Sequence, residues 1–191
     1  MKRLFLDLED TVITPVLEGW QNTEMINVEL IKKVIHLFKP DVIDIFSFAI
    51  SDEKEKQLFN QYCCPMIEQS LGVTLFTVPT TDNDIIKACC AQKNINPKKV
   101  DFSDLSDFWG KQLSFNLWCE HHFKNPSYPV QCLFLDDAVS NSYIKSLDNS
   151  FDAFILNVDD LALNFDKFFA PVFLKIQEEN QKIERKNNQK M

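Results

Sequence analysis

The sequence predicts an α/β fold, a three-layer αβα sandwich around a five-stranded parallel sheet with a C-terminal helix. Three observations predict it. Apolar runs of strand length alternate with stretches of helical periodicity, the order that yields parallel sheets covered by helices on both faces. Several of those runs end in acidic or hydroxyl side chains, as strands opening on a site do. The length, 191 residues, suits one domain with its own core better than two.

RLFLDL at 3–8 is a short apolar run ending in acid and reads as a buried strand. A polar stretch containing Thr and Pro follows. Leu30, Ile31, Val34, Ile35 and Phe38 then recur at helical spacing until Lys39-Pro40 ends the pattern, which predicts a helix over 28–38. DVIDIFS at 41–47 reads as the second strand. Ser51, Asp52 and Glu53 start the next helix with acid in its first turn, and Pro65 is expected to break or kink it. VTLFTV at 73–78, between Gly72 and Pro79, reads as the third strand. Helical patterns cover 82–93 and 104–123, the second weakened by Gly110. VQCLFL at 130–135 is the fourth strand, a helix is expected over 139–147, and DAFILNV at 152–158 is the fifth strand. From 160 onward the chain reads as helical, and its last residues are polar on every face. The expected organisation is an α/β domain over 1–170, with a small flap at 10–27 and a helical insertion at 79–110, followed by a polar helix or tail at 171–191.

Composition narrows the function. A formal net charge of −8 disfavours broad contact with nucleic-acid backbones, although it leaves room for a local basic pocket. The N-terminal apolar run is broken at Asp7, too early for a signal peptide, and no later run is long enough to span a membrane. Six cysteines, four of them in two adjacent pairs, with no secretion signal, read as reduced thiols in a cytoplasmic protein. Cys119, His121, His122 and Cys132 lack zinc-site spacing, since adjacent histidines on a helix point about 100° apart. Seventeen Phe against three Gly predict an aromatic interior, and Trp109, Trp118 and Phe115 belong in it together with Phe108.

Asp7, Ser47, Asp136 and Asp137 close three of the five expected strands. In that order they resemble the haloacid dehalogenase-like (HAD) superfamily, whose Rossmann-type phosphatases carry four successive motifs. LFLDLEDT matches the first with Asp7, Glu9 and Thr11; Ser47 in DIFS matches the second. Lys111 in FWGKQLSFNLW stands where the third would supply a lysine, and LFLDD matches the fourth with Asp136 and Asp137. Lys87, Lys98 and Lys99 are alternative lysines. The resemblance spans residues 3–158.

This resemblance implies a Mg²⁺-dependent phosphomonoester hydrolase. Asp7 would be the nucleophile that forms an aspartyl-phosphate, and Glu9 the acid and base. Mg²⁺ would be held by Asp7, the main-chain carbonyl of Glu9, Asp136 and Asp137. Ser47 and Lys111 would bind the phosphoryl oxygens. The flap is too short for a cap domain, which resembles the capless branch, including the phosphatase domain of phage-type polynucleotide kinases. The implied substrate is a nucleotide, a nucleic-acid end or a phosphoprotein. Trp20 in the flap would stack on a base or sugar, or anchor the flap.

Glu9 departs from the family pattern, where an aspartate is usual. Its extra methylene shifts the carboxyl group by a distance that matters for catalysis. The alternative reading is therefore a weak or inactive scaffold of the same fold that binds a protein partner as a regulator. A receiver-like domain is a third reading, but receivers carry the acid pair on the first strand, not the fourth.

Overall fold

The computed structural model describes residues 1–99, 109–124 and 129–188. The strands are β1 (Lys2–Leu6), β2 (Val42–Ile45), β3 (Val130–Asp136), β4 (Ser142–Lys145) and β5 (Phe151–Asn157). The helices are α1 (Val28–Phe38), α2 (Glu53–Leu71), α3 (Ile86–Lys93), α4 (Gly110–His122), α5 (Val158–Leu163) and α6 (Phe165–Asn188). The five strands form one sheet in the order β2-β1-β3-β5-β4. The first four of these are parallel and β4 runs antiparallel to β5.

Alternation along the strands sends side chains into two separate cores. Leu4, Leu6, Leu133 and Leu135 join a cluster with Ile31 and Val34 of α1, Phe59 and Ile67 of α2, and Phe169 and Val172 of α6. Phe5, Cys132, Phe134 and Ile155 enter a second cluster with Cys89 of α3 and Phe115 and Trp118 of α4. The second core is the aromatic interior expected from the phenylalanine count. Phe134 stacks on Phe115 at 4.6 Å, and Phe46 meets both rings edge-on. Both Trp109 and Trp118 are buried there. Phe108, the first part of the expected 104–123 helix and the 100–108 end of the expected insertion lie outside the described residues.

Two elements differ from the sequence expectation. Residues 73–78 do not form a full strand. They run beside β2 with only two backbone bonds, Phe76 N–H to Ile43 O at 2.8 Å and Ile45 N–H to Thr77 O at 2.9 Å. The Leu75 N–H is diverted to Glu68 Oε1 at 2.8 Å, and Pro79 has no N–H to continue the ladder. The expected helix over 139–147 is instead the loop 137–141 followed by β4. Its Tyr143 packs on Phe154 across the ladder at 4.7 Å, so cross-strand packing overrides the weak helical signal. The sheet is thus mostly parallel, with one reversed edge strand.

Smaller expectations also changed. α2 continues through Pro65, because Phe59, Cys63, Ile67 and Leu71 on its buried face hold both halves to one core. A boundary at residue 170 would cut α6, whose Phe169, Val172 and Ile176 are buried on both sides of it. Residues 189–191 of the expected tail lie outside the described residues. All six cysteines are free thiols. Among the described residues no helix is long and apolar enough to cross a membrane.

Phe134 is fully buried between Phe46 and Phe115. Phe134→Ala is expected to destabilise the fold by about 3–5 kcal/mol, read as a lowered urea midpoint at unchanged slope.

Candidate functional site

The strand order reverses at β1. From β1 the chain moves to β2 on one side, and later returns to β3 on the other, leaving the carboxyl ends of β1 and β3 side by side. Such a reversal opens a crevice that connecting loops do not fill. Register does the rest. Leu6 pairs with Leu135, and the next N–H, that of Asp7, donates to Leu135 O at 3.0 Å. Asp7 and Asp136 are therefore level neighbours, although 129 positions separate them (136 − 7).

Asp7, Asp136 and Asp137 each present a carboxylate oxygen within 4.8 Å of the others. Lys111 enters from the second position of α4. Its Nζ lies 2.8 Å from Asp7 Oδ2 and 3.0 Å from Asp136 Oδ2. Gly110 immediately before it has φ +64°, a left-handed turn into the helix that glycine adopts without strain. Ser47, buried just beyond β2, sits close enough for its hydroxyl to favour the charged form of Asp7. Four residues expected at the site thus meet Lys111 in one place: Asp7, Ser47, Asp136 and Asp137. The alternative lysines Lys87 and Lys98 do not; Lys87 bonds Asn83 Oδ1 at 3.1 Å, and Lys98 lies in the short turn Pro97–Lys99, while the Lys99 side chain lies outside what the structure describes.

Glu9 stands apart. Its Oε1 accepts the Val16 N–H at 2.7 Å, so its carboxylate holds the flap and does not join the aspartate group. The flap is pinned elsewhere too. Trp20 is buried, donates Nε1–H to Glu55 Oε2 at 2.7 Å and meets Phe59 edge-on, which makes it an anchor on α2.

Two further residues order the acid pair. The buried Thr11 hydroxyl accepts the Asp137 N–H at 3.0 Å and lies 3.2 Å from Asp137 Oδ1, to which it donates. Asn157, which sequence reasoning missed, ends β5 opposite Asp136. Its Nδ2 donates to Asp137 O at 2.6 Å and to Val139 O at 3.1 Å, while its Oδ1 caps α5 by accepting from Asp159 and Asp160. A signal was present: within DAFILNV the apolar run closes on the polar Asn157, one residue before Val158, much as the other site-forming runs close on polar residues.

Electrostatically the site is unbalanced. Three carboxylates face one ammonium, which leaves two negative charges in a largely buried place. Burial pushes Asp7 up to about 6, with Lys111 opposing and Asp136 adding to the rise. Asp136 is raised for the same first reason, again against Lys111. Burial works against the Lys111 charge, but the two carboxylates overcome it and its proton is held more tightly than usual. Among the described residues Asp7 Oδ1 has no hydrogen-bond donor, and Asp136 Oδ2 has only the Lys111 ammonium at 3.0 Å, which it shares with Asp7. A divalent cation would supply the missing charge and partner both oxygens, and an all-oxygen donor set suits a hard one.

No protein-family model, curated protein or solved structure matches this chain.

The raised Asp7 sets a pH dependence. Between its ordinary 3.8 and about 6 the folded state binds more protons than the unfolded chain. Stability without metal should therefore fall as pH rises through that window, by up to ~3 kcal/mol, and Asp7→Asn should flatten the fall. Urea midpoints in EDTA across the pH range check this.

Proposed function

We propose that the chain is a Mg²⁺-dependent phosphomonoester hydrolase of the HAD-like type, acting through Asp7. The observation that carries this reading is the meeting of Asp7, Asp136, Asp137 and Lys111 at the switch point of the sheet. A carboxylate nucleophile, an acid pair and a lysine that touches both are the parts phosphoryl transfer needs. Helices drawing on two cores either side of the sheet support the three-layer arrangement of that family.

Asp7, Asp136, Asp137 and the Glu9 carbonyl would hold Mg²⁺, which screens the repulsion between Asp7 and an incoming phosphate. One Asp7 oxygen forms a bond to phosphorus as the bond from phosphorus to the alcohol oxygen breaks. Glu9 gives that departing oxygen its proton. Water then bonds to phosphorus, its proton passes to Glu9, and the phosphorus–Asp7 bond breaks to release inorganic phosphate. Lys111 and Ser47 bind the phosphoryl oxygens as charge builds on them. For these steps Glu9 must leave the Val16 N–H, a local flap motion. The substrate is a nucleotide, a nucleic-acid end or a phosphoprotein, and the compartment is the cytoplasm.

The Glu9–Val16 bond also favours a second reading, a catalytically weak or inactive scaffold that binds a protein partner as a regulator. Asp7→Asn separates the two. It leaves the biological activity of a scaffold intact and removes that of an enzyme.

Hydrolysis of p-nitrophenyl phosphate is expected with Mg²⁺ and not with EDTA. Asp7→Asn should lower turnover about 10⁴-fold or more, and Lys111→Ala about 10²–10³-fold. Beryllofluoride should label wild-type protein at Asp7. Absence of turnover across a broad panel of phosphate esters in Mg²⁺ would remove the hydrolase reading.

A further inference from the structure

With a formal net charge of −8, most of the surface repels anions. One concavity runs the other way. Beside the C-terminal end of α4, at the amino ends of β1 and β3, lies a cavity of about 650 Å³ lined by Arg3, Lys56, Phe76, Trp118, His122 and Lys124 among others. Among the described residues its lining holds a single acid, Asp84, whose Oδ2 accepts the Thr80 N–H at 3.2 Å. Asp7, Lys111, Asp136 and Asp137 are not part of it. Asp7, Asp136 and Asp137 lie at the opposite, carboxyl ends of the same strands, and Lys111 at the opposite end of α4.

Arg3 is held rigidly at this cavity. Nε and Nη2 clamp Asp44 at 2.9 and 2.7 Å, and Nη2 also reaches Thr77 Oγ1 at 3.4 Å. Phe5, Phe76 and Phe123 surround the guanidinium at 5.4–5.7 Å. The Nη1 donors make no hydrogen bond among the described residues. Fixed donors of this kind suit phosphate oxygens, and Lys56 of α2 and Lys124, just past the end of α4, add two further positive charges. Phe76 is 72% exposed, so although the Arg3 guanidinium lies over its ring, much of the ring remains open beside the cations. Trp118 is buried in the wall with Nε1 unpartnered. Phosphate-binding cations beside an open ring are the complement of a molecule that joins phosphate to a flat base. The volume lies within the usual range for small-molecule sites, roughly 300–1,000 Å³.

We propose that this cavity binds a free nucleotide, with its phosphates on Arg3 Nη1, Lys56 and Lys124 and its base against Phe76. The site is separate from the carboxylate centre and does not depend on the hydrolase reading. Calorimetric titration with ADP, adenosine and inorganic phosphate in EDTA tests it. Wild-type protein and Asp7→Asn are expected to bind ADP alike. Adenosine and inorganic phosphate should each bind at least about tenfold more weakly than ADP. Lys56→Glu with Lys124→Glu should weaken ADP at least about tenfold, and Phe76→Ala should weaken ADP while leaving inorganic phosphate unchanged. Circular dichroism and thermal midpoints establish that the variants fold; if the charge reversal unfolds the chain, Lys56→Gln with Lys124→Gln takes its place. The proposal is overturned if wild-type protein does not bind ADP at millimolar concentration, or if inorganic phosphate binds as well as ADP. It is equally overturned if the lysine variant keeps full affinity, or if Asp7→Asn abolishes binding.

Discussion

The backbone hydrogen bond from Asp7 N–H to Leu135 O, 3.0 Å long, carries the β1–β3 ladder one residue past the end of β1. It fixes the height of Asp7 against Asp136, and a slip of one residue would turn the side chains of β1 to the opposite faces of the sheet. Leu4 and Leu6 would then leave the core shared with α1 and α2, and Phe5 would leave the aromatic cluster. The two cores therefore enforce the register, and the register brings the carboxylates together. Packing and site geometry are one constraint at this point of the molecule.

That arrangement works against stability. Clustering three carboxylates around one lysine at a buried switch point raises the proton affinity of Asp7 and Asp136 through burial and leaves Asp7 Oδ1 without a donor among the described residues. Groups that lower stability without a ligand mark places where binding restores what folding withheld. The surrounding bonds show the restraint this requires. Thr11 and Asn157 together grip the backbone and side chain of Asp137, so the acid pair cannot spread apart to relieve its repulsion.

Much of this was legible in the residues. Strand-end acids stood out because a carboxylate closing a buried apolar run is costly to desolvate unless it meets a partner, and LFLDLEDT and LFLDD repeat that pattern. Lys111 was harder, since only the fold brings α4 to the ends of β1 and β3. The errors arose where local pattern competes with pairing. VTLFTV has the composition of a strand, yet its N–H groups find Glu68 or meet a proline, and only two ladder bonds form. The stretch before Leu147 has helical residues, but Tyr143 gains more by packing across β5 on Phe154. Asn157 was the fainter signal: it closes an apolar run as the acids do, but its partners are main-chain carbonyls of a loop, which only the fold brings to it.

The two rims of the sheet have a further consequence. One is the short reversed strand β4, whose outward side bears Tyr143 and Lys145; the other is the interrupted segment beside β2 that stops at Pro79. Neither offers a long, regular row of free N–H and C=O groups on which another chain's strand could register. An apolar, mostly parallel sheet with long straight borders would present such a template, and these irregular borders present little of one.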